Sequence, residues 1–137
     1  MAREFILSIV APDREVASES VVSVVAPGSE GYFGIQAGHL PMVAALRAGL
    51  LEYQDSRNQR QYIYIGGGFA EVRPDRVTVL ADEARRATEI TVEMAELDLE
   101  RARKALRGEE GAGMNGQDAA EEVERAIQRL KAARLAR

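Results

Sequence analysis

The chain has 137 residues, 46% of them apolar, and a net charge of −4. That length allows one core, or a compact domain with an appendage. The negative balance argues against a general nucleic-acid binder, which needs a basic surface to neutralise phosphates, and the absence of cysteine excludes disulfides, thiol catalysis and cysteine-ligated metal.

No apolar run approaches the roughly 20 residues that span a bilayer. Met1-Ala2-Arg3-Glu4 leads straight into an alternating strand, so no secretory or targeting segment is expected. From Phe5 to about Ala87 the apolar period is two. Phe5, Leu7 and Ile9 alternate with Ile6, Ser8 and Val10, and Val22, Val24 and Ala26 alternate with Val21, Ser23 and Val25. Gln61 to Ile65 and Arg76 to Leu80 are further β-branched or aromatic runs. Turn signals separate them at Pro12-Asp13, Pro27-Gly28, Ser56-Arg57-Asn58, Gly66-Gly67-Gly68 and Pro74-Asp75. The pattern predicts an antiparallel sandwich or flattened barrel of about eight to ten short strands.

Within this half, Gly28 to Pro41 packs four glycines, a proline and the chain's one histidine into fourteen residues. Such a run cannot be a helix. It predicts two tight turns around a short strand, Tyr32 to Ile35. Backbone constrained this heavily suits a surface that must keep its shape.

From about Thr91 the period becomes helical. Val92, Ala95, Leu99, Ala102 and Leu106 form one stripe, with Thr91 as N-cap and Gly108 as the residue past the end. A second helix is expected from Asp118, as the cap of a capping box, with the stripe Val123, Ala126, Ile127, Leu130 and Ala133. Gly108 to Gln117, with four glycines, reads as a flexible link. The fold class is therefore α+β, with a β-sandwich over residues 1–87 and an antiparallel two-helix hairpin over residues 88–137. Alanine-rich seams bury little, and helices of this length are marginal alone. The hairpin is expected to open or leave the sandwich while the sandwich stays folded.

Catalytic constellations are absent from the sequence. His39 has Gly38, Leu40 and Pro41 for neighbours, so it reads as a loop tie rather than a catalyst or metal ligand. Gly66-Gly67-Gly68 lacks the Lys-Ser/Thr ending of a phosphate loop and reads as a hairpin turn or bulge. Asp82-Glu83 reads as a polar strand end. Asp98 and Arg101, at i and i+3, form either a surface ion pair or a carboxylate and cation arranged for a purine and its phosphates. The last thirteen residues carry Arg125, Arg129, Lys131, Arg134 and Arg137 with no acid. That is macrodipole matching, or a basic helix end able to dock on an acidic partner.

The run Gly-Ser-Glu-Gly-x-x-Gly-Ile-x-x-Gly-His-x-Pro resembles the signature of the epsilon subunit of F-type ATP synthases. The resemblance continues through Leu46, Gly49 and Leu50, through Gly67 to Val72 and through Val77 to Asp82. It implies a sandwich of about ten strands followed by a helical hairpin, in a non-catalytic central-stalk subunit. It also implies partners: the gamma subunit, the membrane rotor ring of c subunits and, transiently, the catalytic alpha and beta subunits. Nucleic acid is not among them, and membrane contact comes only through the complex. The seat implied is the cytoplasmic face of a bacterial inner membrane. By position in the motif, Glu30, Tyr32, Phe33, His39, Leu40, Pro41 and Met42 would face the rotor ring and gamma. Tyr32 stands where some relatives carry an acid.

Leu97-Asp98-x-x-Arg101-Ala102 resembles the motif that binds ATP in some members, with Arg125 and Arg129 as further phosphate contacts. No cofactor is required, and ATP enters as an optional regulatory ligand. Arg125, Arg129, Lys131 and Arg134 would form the basic helix that restrains ATP hydrolysis. The alternative is a free-standing regulatory sandwich that binds nucleotide with no rotary partner. A small sandwich hydrolase is disfavoured by the missing constellation.

Overall fold

Phe5, Leu7 and Ile9 all point into one apolar interior, and this sets the frame of the N-terminal half. The computed structural model describes residues 3–109 and 115–136. The fold falls into two compact units, dividing after Arg86. The first holds seven strands: β1 (Phe5–Ala11), β2 (Arg14–Gly28), β3 (Gly31–Ile35), β4 (Met42–Asp55), β5 (Arg60–Arg73), β6 (Arg76–Ala81) and β7 (Ala84–Arg86). Five of them close a ring, β1-β6-β5-β4-β2, with β1 pairing back to β2. β3 adds to β2 and β7 to β5.

The barrel is not purely antiparallel, as the period-two reading expected. β1 and β6 run parallel, Ile6 opposite Arg76 through Val10 opposite Leu80. A ring of five strands cannot alternate direction all the way round, so one pair must share a direction. The strand count also falls below eight to ten. β2, β4 and β5 are 15, 14 and 14 residues long, and β5 runs through a position that reads as a break. Pro27-Gly28 ends β2 rather than interrupting it, and the turn to β3 is Ser29-Glu30. Gly66-Gly67-Gly68 lies inside β5. Gly67 and Gly68, at φ 110° and 134°, bend the strand where its partner changes from β6 to β7. A bulge in β2 between Val21 and Ser23 shifts the inward phase, so Val21, Val24 and Ala26 are buried and Val22 is not.

The two-residue hairpins Pro12-Asp13 and Pro74-Asp75 form as the turn residues require. The β4–β5 turn is held by Asp55, whose Oδ1 accepts from the N–H groups of Arg57 and Gln59 at 2.9 Å each. Those bonds, that of Gln59 foremost, keep its carboxyl below the usual aspartate range. The end of β7 is tied inward. The Tyr53 hydroxyl donates to Glu19 Oε2 at 2.9 Å and accepts from Arg86 Nη1 at 3.1 Å.

The second unit begins with a single 3-10 turn (Ala87–Glu89), followed by α1 (Val92–Leu106) and α2 (Gly116–Leu135). Thr91 caps α1, accepting from the Met94 N–H at 3.4 Å. Gly108, at φ 74°, closes it: its N–H reaches the Ala105 carbonyl at 3.0 Å, and that of Glu109 reaches Lys104 at 3.1 Å. α2 starts earlier than Asp118. Asn115 is its cap, accepting from the Asp118 N–H at 2.8 Å. Asp118 becomes the third helical residue and receives the Asn115 amide at 3.0 Å. The link is therefore shorter than Gly108 to Gln117, and residues 110–114 within it lie outside the described residues, as does Arg137.

Ala95, Leu99, Ala102 and Ala105 are buried on α1, so Ala105 and not Leu106 completes its stripe. On α2 Ala119, Ala126, Leu130, Ala132 and Ala133 are buried. Small side chains fill most of the buried positions, and the larger Leu106 is left half exposed. The ion pairs Glu96–Arg134 and Asp98–Arg129 join early α1 to late α2, so the two helices run antiparallel.

Candidate functional site

Two sets of residues singled out by the sequence fall in separate units, and each is described in its own frame. In the barrel, β3 and the turns flanking it present Glu30, Tyr32, Leu40, Pro41 and Met42 to solvent, with Phe33 and His39 half-buried. Glu30, Tyr32, Phe33 and Met42 share one shallow depression. His39 lines a different one, beside Gly34 and Ile35.

This surface is stiff. The Ser29 N–H donates to the Ala45 carbonyl at 2.9 Å, and the Gly38 N–H to the Pro74 carbonyl at 2.7 Å. His39 Nδ1 lies 2.8 Å from the Leu40 carbonyl oxygen, so the ring ties its own loop, as its neighbours in sequence suggested. Tyr32 is pinned although half exposed. Its hydroxyl accepts from the Leu50 N–H at 3.1 Å, and the Arg47 guanidinium lies 5.9 Å from the ring centroid. Gly49 makes this possible: a Cβ there would stand 2.5 Å from Pro27 Cβ and 2.7 Å from the Tyr32 hydroxyl.

Beside this set lies an apolar surface that the sequence reading did not assign. Val43, Phe69 and Leu80 are 71%, 57% and 58% exposed. Phe69 is the register partner of both Ala45 and Leu80, and Val43 shares the outward phase of Ala45. Phe69 and Leu80, paired across β5 and β6, thus leave large apolar side chains on the solvent side of the barrel. The signal was present: Phe69 and Leu80 are large apolar residues in the outward phase, Phe69 just before buried Ala70 and Val72 and Leu80 between buried Val79 and Ala81.

In the helical unit, Leu97 and Arg101 are exposed, Asp98 is half-buried and Ala102 is fully buried. Asp98 does not pair with Arg101, as the i, i+3 spacing suggested. It faces Arg129 across the seam, Oδ2 to Nε at 3.7 Å. Arg129 is buried, its side chain 5% exposed, and its Nη2 also meets Glu122 Oε1. Glu122 Oε2 lies 4.0 Å from Arg125 Nη1. Four of the six residues expected to hold ATP therefore stand on the seam or beside it, Asp98, Ala102, Arg125 and Arg129, while Leu97 and Arg101 face solvent. Of the basic residues, Arg125, Arg129 and Arg134 each meet a carboxylate in the folded pair, and Lys131 is exposed. Among the described residues no group of His, Cys, Asp or Glu forms a metal site.

The family model for the β-sandwich domain of the ATP synthase delta/epsilon chain matches residues 4–87. The chain belongs to the ATP synthase epsilon family. It is 41% identical to the ATP synthase epsilon chain of Desulforapulum autotrophicum over 95% of this chain and 96% of that protein. It is 42% identical to that of Syntrophobacter fumaroxidans over 97% of this chain and 98% of that one. Among solved structures, a chain of the Euglena gracilis mitochondrial ATP synthase (OSCP/F1/c-ring) superposes with a TM-score of 0.78 at 28% identity, covering 95% of this chain and 81% of its own length. A chain of the Tetrahymena thermophila enzyme's central stalk and c-ring shares the fold, with a TM-score of 0.60 at 15% identity, covering 99% of this chain and 98% of its own length. An epsilon-family chain is a non-catalytic subunit of the central stalk.

Proposed function

We propose that this chain joins the gamma shaft to the membrane rotor ring through its barrel and regulates hydrolysis through its helices. The observation that carries the first part is similarity to epsilon chains along nearly the whole length, combined with a rigid, partly apolar surface on β3, β4, β5 and β6. Glu30, Tyr32, Phe33, His39, Leu40, Pro41 and Met42 supply the contact with the ring and gamma, and Val43, Phe69 and Leu80 extend it. The seat is the cytoplasmic face of a bacterial inner membrane, reached through the complex. No helix among the described residues is long and apolar enough to cross a membrane.

The helical unit is the regulatory arm in this reading. ATP binds the folded pair at Leu97, Asp98, Arg101, Ala102, Arg125 and Arg129. The exposed Arg101 supplies a guanidinium with no ion pair among the described residues. A ligand that binds only the folded arm stabilises it by RT ln(1 + [L]/Kd), about 2.7 kcal/mol at a hundredfold excess over Kd. When ATP falls, the arm opens, Arg125, Arg129 and Arg134 leave their carboxylates, and together with the exposed Lys131 they reach acidic surfaces of the alpha and beta subunits. Calorimetric titration of the full chain with ATP tests this. Heat of binding that Arg101→Ala removes supports the nucleotide arm, and heat unaffected by that change places the ligand elsewhere.

A further inference from the structure

Glu122 was not among the residues expected to act in this site, yet it occupies the centre of it. It lies on α2 one turn before Arg125 and two turns before Arg129, so the three share a face. Its two oxygens are divided between them: Oε1 meets Arg129 Nη2, and Oε2 lies 4.0 Å from Arg125 Nη1. One anion spanning two guanidiniums is the arrangement a phosphate group would take. Asp98 approaches Arg129 from the other helix. Asp98 and Glu122 thus both stand against the buried Arg129. An arriving phosphate is an anion and would meet these two carboxylates as like charge.

We propose that Glu122 is a built-in competitor for the phosphates of the nucleotide, closing the folded arm with the chain's own carboxylate where a ligand anion would sit. The inference rests on the ATP reading above and deepens it. Glu122 is suited to the part because its side chain is 28% exposed while that of Arg129 is 5% exposed. The acid can swing into water when a phosphate arrives, and the arginine stays in place. The consequence is a threshold. The arm stays folded in part without nucleotide, and ATP binds only by displacing Glu122.

The experiment compares the full-length chain with Glu122→Gln and Glu124→Gln, titrating each with ATP and separately with inorganic triphosphate. Glu124 is the control: it carries the same charge two residues on, but it accepts from Gln128 at 3.2 Å. Glu122→Gln is expected to tighten ATP and triphosphate by about tenfold or more, with no comparable change for Glu124→Gln. Without ligand, the α1 and α2 amides of Glu122→Gln are expected to exchange faster, and ATP restores their protection. If Glu122→Gln unfolds the helices outright, helix regained on adding ATP is the readout, and none regained counts against the proposal. Equal affinity in wild type and Glu122→Gln overturns the competitor and leaves the ATP reading standing. Equal tightening by Glu124→Gln also overturns it, because net charge alone would then explain the effect. No binding of ATP by any of the three overturns the ATP reading itself, and the competitor with it.

Discussion

Asp98 on α1 lies 3.7 Å from the Nε of Arg129 on α2, and this pair bridges the seam of the helical unit. The apolar seam around it is thin. Leu99 and Leu130 are its large buried residues, each contributing about 1.5–3 kcal/mol, and alanines fill the rest. A buried charge that loses its partners is costly, so the polar cluster decides whether the helices stay paired.

Arg129→Ala is therefore expected to cost the helical unit about 3 kcal/mol, the lower end of what breaking a buried pair costs, because both carboxylates are partly exposed. In hydrogen exchange, α1 and α2 amides lose protection while β1, β5 and β6 keep theirs. Equal loss in both units would contradict the independence of the arm.

Gly49→Ala tests the stiffness of the contact surface. The added methyl meets Pro27 and drives the Tyr32 hydroxyl from the Leu50 N–H. Overpacking of this kind costs about 1–3 kcal/mol. The expected result is a lower unfolding midpoint and weakened binding to gamma. Tyr32→Phe loses only the hydrogen bond, about 1 kcal/mol, and retains most of the binding.

Phe69→Ser with Leu80→Ser separates contact from stability. Both side chains are more than half exposed, so unfolding by urea should shift by no more than about 0.5 kcal/mol per site. Association with the gamma subunit should fall sharply. A double variant that binds gamma normally removes this face from the interface.

Asp55 gives the barrel an acid-range dependence of known sign. Its folded pKa is lowered, chiefly by the bond from the Gln59 N–H. The stabilisation is present in full above the unfolded value, about 3.9, and is lost as pH falls through the folded value. Asp55→Asn should flatten that part of the stability–pH curve. Thermal melts from neutral pH downward, wild type against variant, check it.

Local chemistry was readable from sequence, and closure was not. Thr91 and Gly108 were legible because a cap depends on one side chain and one φ angle. Asp118 was misplaced because two good acceptors stand three residues apart, and Asn115 takes the cap while Asp118 completes the box behind it. The strand number was overestimated because Gly66 to Gly68 looks like a turn when it is a bend within β5. Strand direction leaves no mark on a period of two, so the parallel β1–β6 pair follows only from the odd ring. Arg129 reads from sequence as a phosphate contact on a basic helix end, not as a buried residue of the seam. Its burial depends on Glu122 and Asp98 converging from two helices, which the spacing on either helix does not reveal.

The proposed function requires this chain to be a fixed component of the rotor, with its barrel seated on gamma and the ring. The most direct measurement is its stoichiometry in the complex purified from gently solubilised membranes. One copy per gamma subunit is expected, lost when Phe69 and Leu80 are replaced by serine. Recovery of the intact chain free of gamma and ring, with the rest of the complex assembled, would contradict it.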